Sequence, residues 1–190
     1  HKYTLSELTF DLPDADWIKK KMRDSTDRIR SIDVESDFEF LVSVFKIPKE
    51  HQRNIKSVIR EALLYLPEVN LIIKNELGFY SGAMVLLPIT EEAYTLLRDR
   101  KINRNELRVA HICDPEFQDQ KIYYEFELTA DNNEDGQYLM VAGFRFFDKL
   151  KDHDYHYCAI ADRTDTSHLA DQVGLEAIWS EITDDMDPAD

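Results

Sequence analysis

The hydrophobic positions of this chain change period several times, and each change marks an element. Between Lys49 and Leu66, apolar residues recur at Ile55, Val58, Ile59, Ala62, Leu63 and Leu66, the three-and-four spacing of a helix that buries one face. Pro67 ends it. Asn70–Asn75 and Gly82–Ile89 are short apolar runs around the turn-rich Glu76–Ser81, and they read as an antiparallel pair of strands. Thr90, followed by Glu91 and Glu92, begins a helix through Arg100, because acidic side chains suit the positive end of a helix. Lys121–Thr129 (KIYYEFELT) is rich in β-branched and aromatic residues and alternates. Tyr123, Glu125, Glu127 and Thr129 share one face; Ile122, Tyr124, Phe126 and Leu128 share the other. The polar turn Ala130–Gly136 leads into Gln137–Lys151, a helix whose apolar stripe is Leu139, Ala142, Phe146 and Leu150. Tyr155–Ala161 reads as a strand, Thr166–Val173 as a short helix stopped by Gly174, and Leu175–Ile182 as a last strand.

The front of the chain is less regular. Residues 1–13 keep no single period and end at Pro13, after which Asp14 or Asp16 caps an expected helix over Trp17–Arg30. In Asp33–Phe45 the set Phe38, Phe40, Val42 and Val44 alternates, whereas Phe38, Leu41, Val42 and Phe45 keep helical spacing. The helix start offered by Glu35, Ser36 and Asp37 favours helix, and Pro48 ends it. A short helix is expected at Arg104–Leu107. These readings divide the chain into an N-terminal helical extension, residues 1–66, and an α/β core, residues 67–190. The core has an antiparallel front half and a strand–helix–strand–helix–strand rear. The helix between strands 121–129 and 155–161 requires that these two run parallel.

Charge narrows the partners. The 38 acidic and 23 basic side chains give a formal charge of −15, which argues against binding a nucleic-acid backbone and admits a cationic partner such as an amine or a basic protein. No run approaches the roughly 18–20 apolar residues that span a bilayer, and the start of the chain lacks a basic-then-apolar leader pattern. No membrane partner is therefore expected, and a cytoplasmic setting is. Cys113 and Cys158 stand in unrelated contexts, and no His or Cys pair has metal-ligand spacing, so no metal is expected.

The element order carries two local features. One is Leu86-Leu87-Pro88-Ile89-Thr90-Glu91-Glu92-Ala93-Tyr94. The other is Ala159-Ile160-Ala161-Asp162 followed by Ser167-His168-Leu169-Ala170 and Val173-Gly174-Leu175. Together these resemble the GNAT superfamily of acyl-CoA N-acyltransferases, over about residues 50–182. The resemblance implies a mixed α/β sheet in which the parallel strands splay near residue 128. It also implies acetyl-CoA as cosubstrate and a small-molecule or protein amine as acceptor. The backbone of Leu128, Thr129 and Ala130 would pair with the pantetheine arm, and Asn133, Gly136, Gln137 and Tyr138 would surround the pyrophosphate. The family's loop runs Arg or Gln, two residues, Gly, one residue, then Gly or Ala. Its matching positions here are Asn133, Gly136 and Tyr138, so one glycine is kept. Glu134 and Asp135 bring negative charge to this loop, which predicts weak coenzyme affinity. In the superfamily a glutamate on the preceding strand serves as base; Glu127, nearest the loop, is the first candidate and Glu125 the second. The family's tyrosine acid is matched by Ala170, with His168 and Ser167 as nearby replacements. The plainer reading of the two glutamates is a solvated polar face, and the alternative function is a non-catalytic GNAT-like module that binds a ligand or protein.

Overall fold

In the computed structural model, which describes residues 2–8, 16, 20, 23, 27–150, 154–161 and 175–182, the alternating segments pair into one seven-stranded mixed sheet. Its strands are β1 (Lys2–Leu8), β2 (Ile29–Ser31), β3 (Leu71–Lys74), β4 (Tyr80–Pro88), β5 (Lys121–Ala130), β6 (Tyr155–Ala161) and β7 (Leu175–Ile182). Their order is β2-β3-β4-β5-β6-β1-β7. Only β5 and β6 run parallel among the neighbouring pairs described; the others are antiparallel. The helices are α1 (Val34–Phe45), α2 (Gln52–Tyr65), α3 (Glu91–Arg98) and α4 (Asn133–Lys149).

The helices form where the apolar spacing and the caps agree. Asp33 caps α1 by accepting from the Glu35 amide at 3.1 Å, and Thr90 caps α3 by accepting from the Ala93 amide at 3.1 Å. Helix α2 turns Ile55, Val58, Ile59 and Ala62 fully inward. With Leu41 and Phe45 of α1 they cover one face of the sheet, against Ile72, Val85, Leu87 and Tyr124. Helix α4 covers the other face, where Leu139, Phe146 and Phe147 pack on Leu71, Ile73, Met84, Leu86 and Tyr123. The result is a three-layer α/β/α arrangement, of the mixed α/β class that the sequence implies. The antiparallel β3–β4 pair, β5 beside β4, and the parallel β5–β6 pair all lie where the sequence puts them.

The front of the chain departs from its reading. Residues 1–66 are not a helical extension, because they supply two strands of the sheet. β1 lies between β6 and β7, and β2 extends the opposite edge by pairing Ile29 with Ile73. Asp16, Lys20 and Arg23 are helical, but Ile29 and Arg30, expected in the same helix, belong to β2. A three-residue edge strand and a strand whose partners lie far along the chain carry little local signal; tertiary pairing decides them. The turn Ala130–Gly136 is also shorter than expected. Asn132 caps α4 by accepting from the Asp135 amide at 2.9 Å, so Asn133, Glu134, Asp135 and Gly136 are already helical. The expected helix over 166–173, and with it His168 and Ser167, lies outside the described residues.

Candidate functional site

The parallel strands part in the middle of the sheet. β6 pairs with β5 from Lys121↔Tyr155 to Glu125↔Ala159, and the pairing stops there, although β5 continues to Ala130. Beyond that point β6 turns to β1, with Leu5↔Ile160 and Thr4↔Ala161. Among the described residues no strand therefore pairs with the β6 side of Phe126–Ala130. On its other side β5 stays bonded to β4 as far as Ala130↔Gly82. Leu128, Thr129 and Ala130 are half-buried along this open edge. Gly82 is required for the arrangement. A Cβ there would meet the Thr129 carbonyl oxygen at 2.4 Å and the Ala130 Cα at 2.9 Å.

A bulge lies at the parting point. Val85 faces Glu127 while Leu86 faces Glu125, so Phe126 is an extra residue in β5. The extra residue breaks the alternation read from the sequence, and Glu125 and Glu127 do not share a face. Glu125 lies with Tyr123 and Leu128 on the α4 side. Phe126 packs in the core under α1 and α2, and Glu127 pairs with Arg104 there. The Arg104 guanidinium also donates to the Phe126 carbonyl at 2.8 Å and to the Phe45 carbonyl at 2.7 Å, and lies 4.7 Å over the Phe126 ring. Arg104 thus ties the bulge to the end of α1, and the Glu127 carboxylate is committed to it.

Glu125 is in a different environment. Burial pushes its carboxyl up to about 7, the nearby Glu127 charge adds to the shift, and a hydrogen bond from the Tyr157 hydroxyl opposes it. Tyr157, on β6, is held by a ring contact with Phe147 of α4, centroids 5.2 Å apart at 77°. Burial first, and the Glu125 charge second, raise the Tyr157 hydroxyl well above its ordinary value, so it keeps its proton and donates it to the carboxylate. The bulge, which period-2 reading could not detect, is what separates the two glutamates into one committed to an arginine and one poised near neutrality.

At the start of α4, acidic groups meet the helix. Glu134 and Asp135 occupy its first turn. The Asp135 carboxylate is buried and accepts from the Ser81 hydroxyl at 2.5 Å, the Arg28 guanidinium at 3.0 Å and the Asn132 amide at 3.2 Å. Burial alone would raise its pKa, but these three donors hold it below the usual carboxylate value. Tyr138 does not lie over the helix start. It is 6% exposed, packs inward, and donates to Glu134 at 2.7 Å. Gly136 is an ordinary helical residue, whose Cβ would lie 3.8 Å from that of Ala130. Asn133 and Gln137 are exposed.

The residues assigned to acetyl-CoA therefore divide into two groups. Leu128, Thr129 and Ala130 fit an extended amide-bearing arm, because an unpaired strand edge offers backbone donors and acceptors. Asn133, Gly136, Gln137 and Tyr138 do not fit a pyrophosphate, because no tight glycine cradle is formed and two carboxylates already meet the positive end of the helix. No group of three or more His, Cys, Asp or Glu side chains placed to hold a metal is found among the described residues. No helix among them is long and apolar enough to cross a membrane.

No family model matches this chain, and no curated protein matches it. Among solved structures, a match is found to a fungal multi-domain GH3 beta-N-acetylglucosaminidase, described as having a unique GCN5-related glucosamine N-acetyltransferase region. The two are 13% identical with a TM-score of 0.45, over 95% of this chain and 20% of that one. This chain thus spans about a fifth of that protein's length. A likeness of that extent says nothing of this chain's activity.

Proposed function

We propose that this chain transfers an acyl group from a thioester to an amine, with Glu125 as the base. The observation that carries the reading is the position of Glu125. Its carboxyl lies at the point where β5 and β6 part, hydrogen-bonded by Tyr157, beside the open edge that would hold a thioester arm. A carboxyl near 7 is about half ionised at neutral pH and can take a proton from an ammonium. The freed amine nitrogen attacks the thioester carbonyl carbon, the carbon–sulfur bond breaks, the nitrogen gives its remaining extra proton to solvent, and the departing thiolate takes a proton from solvent. Glu125 displaces Glu127 as first candidate because the Glu127 carboxylate is engaged by Arg104. Glu125→Gln should lower amine-dependent thiol release on the order of 100-fold, while the protein stays folded. Turnover unchanged in Glu125→Gln would remove the assignment.

The acidic start of α4 favours a second reading, in which the same open edge binds an extended ligand or peptide without chemistry. In that case thiol release does not depend on added amine in any variant.

A further inference from the structure

The two ends of the proposed donor site differ in charge. At the open edge of β5 the side chains of Leu128, Thr129 and Ala130 are uncharged. At the α4 start, Asp131, Glu134 and Asp135 lie within one turn of chain. Among the described residues Arg28 is bonded to this group, and it is already engaged. It pairs with Asp135 at 3.0 Å, donates to the Lys74 carbonyl at 3.2 Å, and lies 5.3 Å over the Tyr138 ring. The helix amides are partly used as well. Those of Asp135 and Gly136 donate to the side chain and carbonyl of Asn132, at 2.9 and 3.1 Å. A diphosphate brought here meets carboxylates and an arginine already paired with Asp135, and gains no further charged partner among the described residues.

We infer that the acyl donor of this chain is a thioester of a neutral, extended, amide-bearing arm that carries no diphosphate at the α4 end. The inference rests on the acyl-transfer reading and specifies its donor. The arm pairs with the β5 edge beyond Glu125, as an added strand does, and it passes α4 without a negative charge.

Calorimetry on the whole chain at low salt tests this with two probes, S-acetylpantetheine and acetyl-CoA. The expected result is that acetyl-CoA binds no more than threefold tighter than S-acetylpantetheine, or more weakly. Raising the ionic strength should strengthen acetyl-CoA binding and leave S-acetylpantetheine unchanged, because salt screens a repulsion that only the diphosphate feels. Glu134 is exposed, so Glu134→Gln is expected to keep the fold and to tighten acetyl-CoA selectively. Acetyl-CoA binding more than threefold tighter than S-acetylpantetheine, or weakening as salt rises, overturns the inference and leaves acyl transfer standing. Binding of neither probe overturns both.

Discussion

Glu125 shows how one side chain can oppose the stability of the fold that holds it. Its carboxyl is raised from 4.5 to about 7, so between those values the folded chain binds a proton that the unfolded chain has released. Stability therefore falls as pH rises through that window, and the penalty is complete above about 7. Glu125→Gln should be as stable as the parent near pH 4 and more stable near pH 8, by on the order of 2–3 kcal/mol, as read from urea unfolding at the two pH values. A purely structural glutamate would lose stability on the same change. Because the Tyr157 hydrogen bond lowers the Glu125 value, Tyr157→Phe should raise it further, which a pH titration of the Glu125 carboxyl carbon by NMR would follow. A downward movement would mean that Tyr157 does not stabilise the carboxylate. The sequence identified the strand, its two glutamates and the loop after it. It could not rank the glutamates, because the ranking depends on an inserted residue, Phe126, and on an arginine from a distant segment.

At the scale of elements, the site depends on how closely β4 and β5 approach and on what fixes their bulges. Gly82→Ala places a methyl group against the Thr129 carbonyl oxygen and against the Cα and Cβ of Ala130, and the nearest obstruction is backbone. A loss of about 1–3 kcal/mol is expected, with exchange protection lost at residues 128–130; a neutral substitution would show that the β5 end can move aside. Asn70 pins the same region from the other end of β4. Its buried amide donates to the Leu66 and Leu86 carbonyls at 2.8 and 3.0 Å and accepts from the Leu86 amide at 3.0 Å, extending the ladder just before β3 begins. Asn70→Ala leaves buried backbone groups unpaired and should cost about 1–3 kcal/mol by thermal unfolding. Elements with strong periodicity and clear stops, such as α2 with Pro67 and the β3–β4 pair, were legible in sequence. The bonds that join elements were not, since Asn70, Ser81 and Arg104 look like ordinary polar residues until their partners are brought to them.

For the molecule as a whole, the sheet has two differently secured ends. The β2 end is held by a buried carboxylate. Asp37 receives both nitrogens of Arg30 at 2.6 and 2.8 Å, the Tyr80 hydroxyl at 2.7 Å and the Asp33 amide at 2.8 Å, which joins β2, α1 and β4. Burial opposes its ionisation, yet these donors depress it from 3.8 to about 2. Its contribution is fully present above its unfolded value and is lost as pH falls through about 2. Asp37→Asn should therefore flatten the loss of stability on acidification between about pH 4 and 2, and an unaltered acid limb in urea melts would exclude the role. The opposite end is secured by β1. This strand is made before both of its neighbours, β6 and β7. It waits with two bare edges, exposed to pairing with other chains, until β6 and β7 have been made. β1 can therefore pair only after β6 and β7 are made, and pulse-labelled exchange should show β1 and β7 acquiring protection together, after β3, β4 and β5.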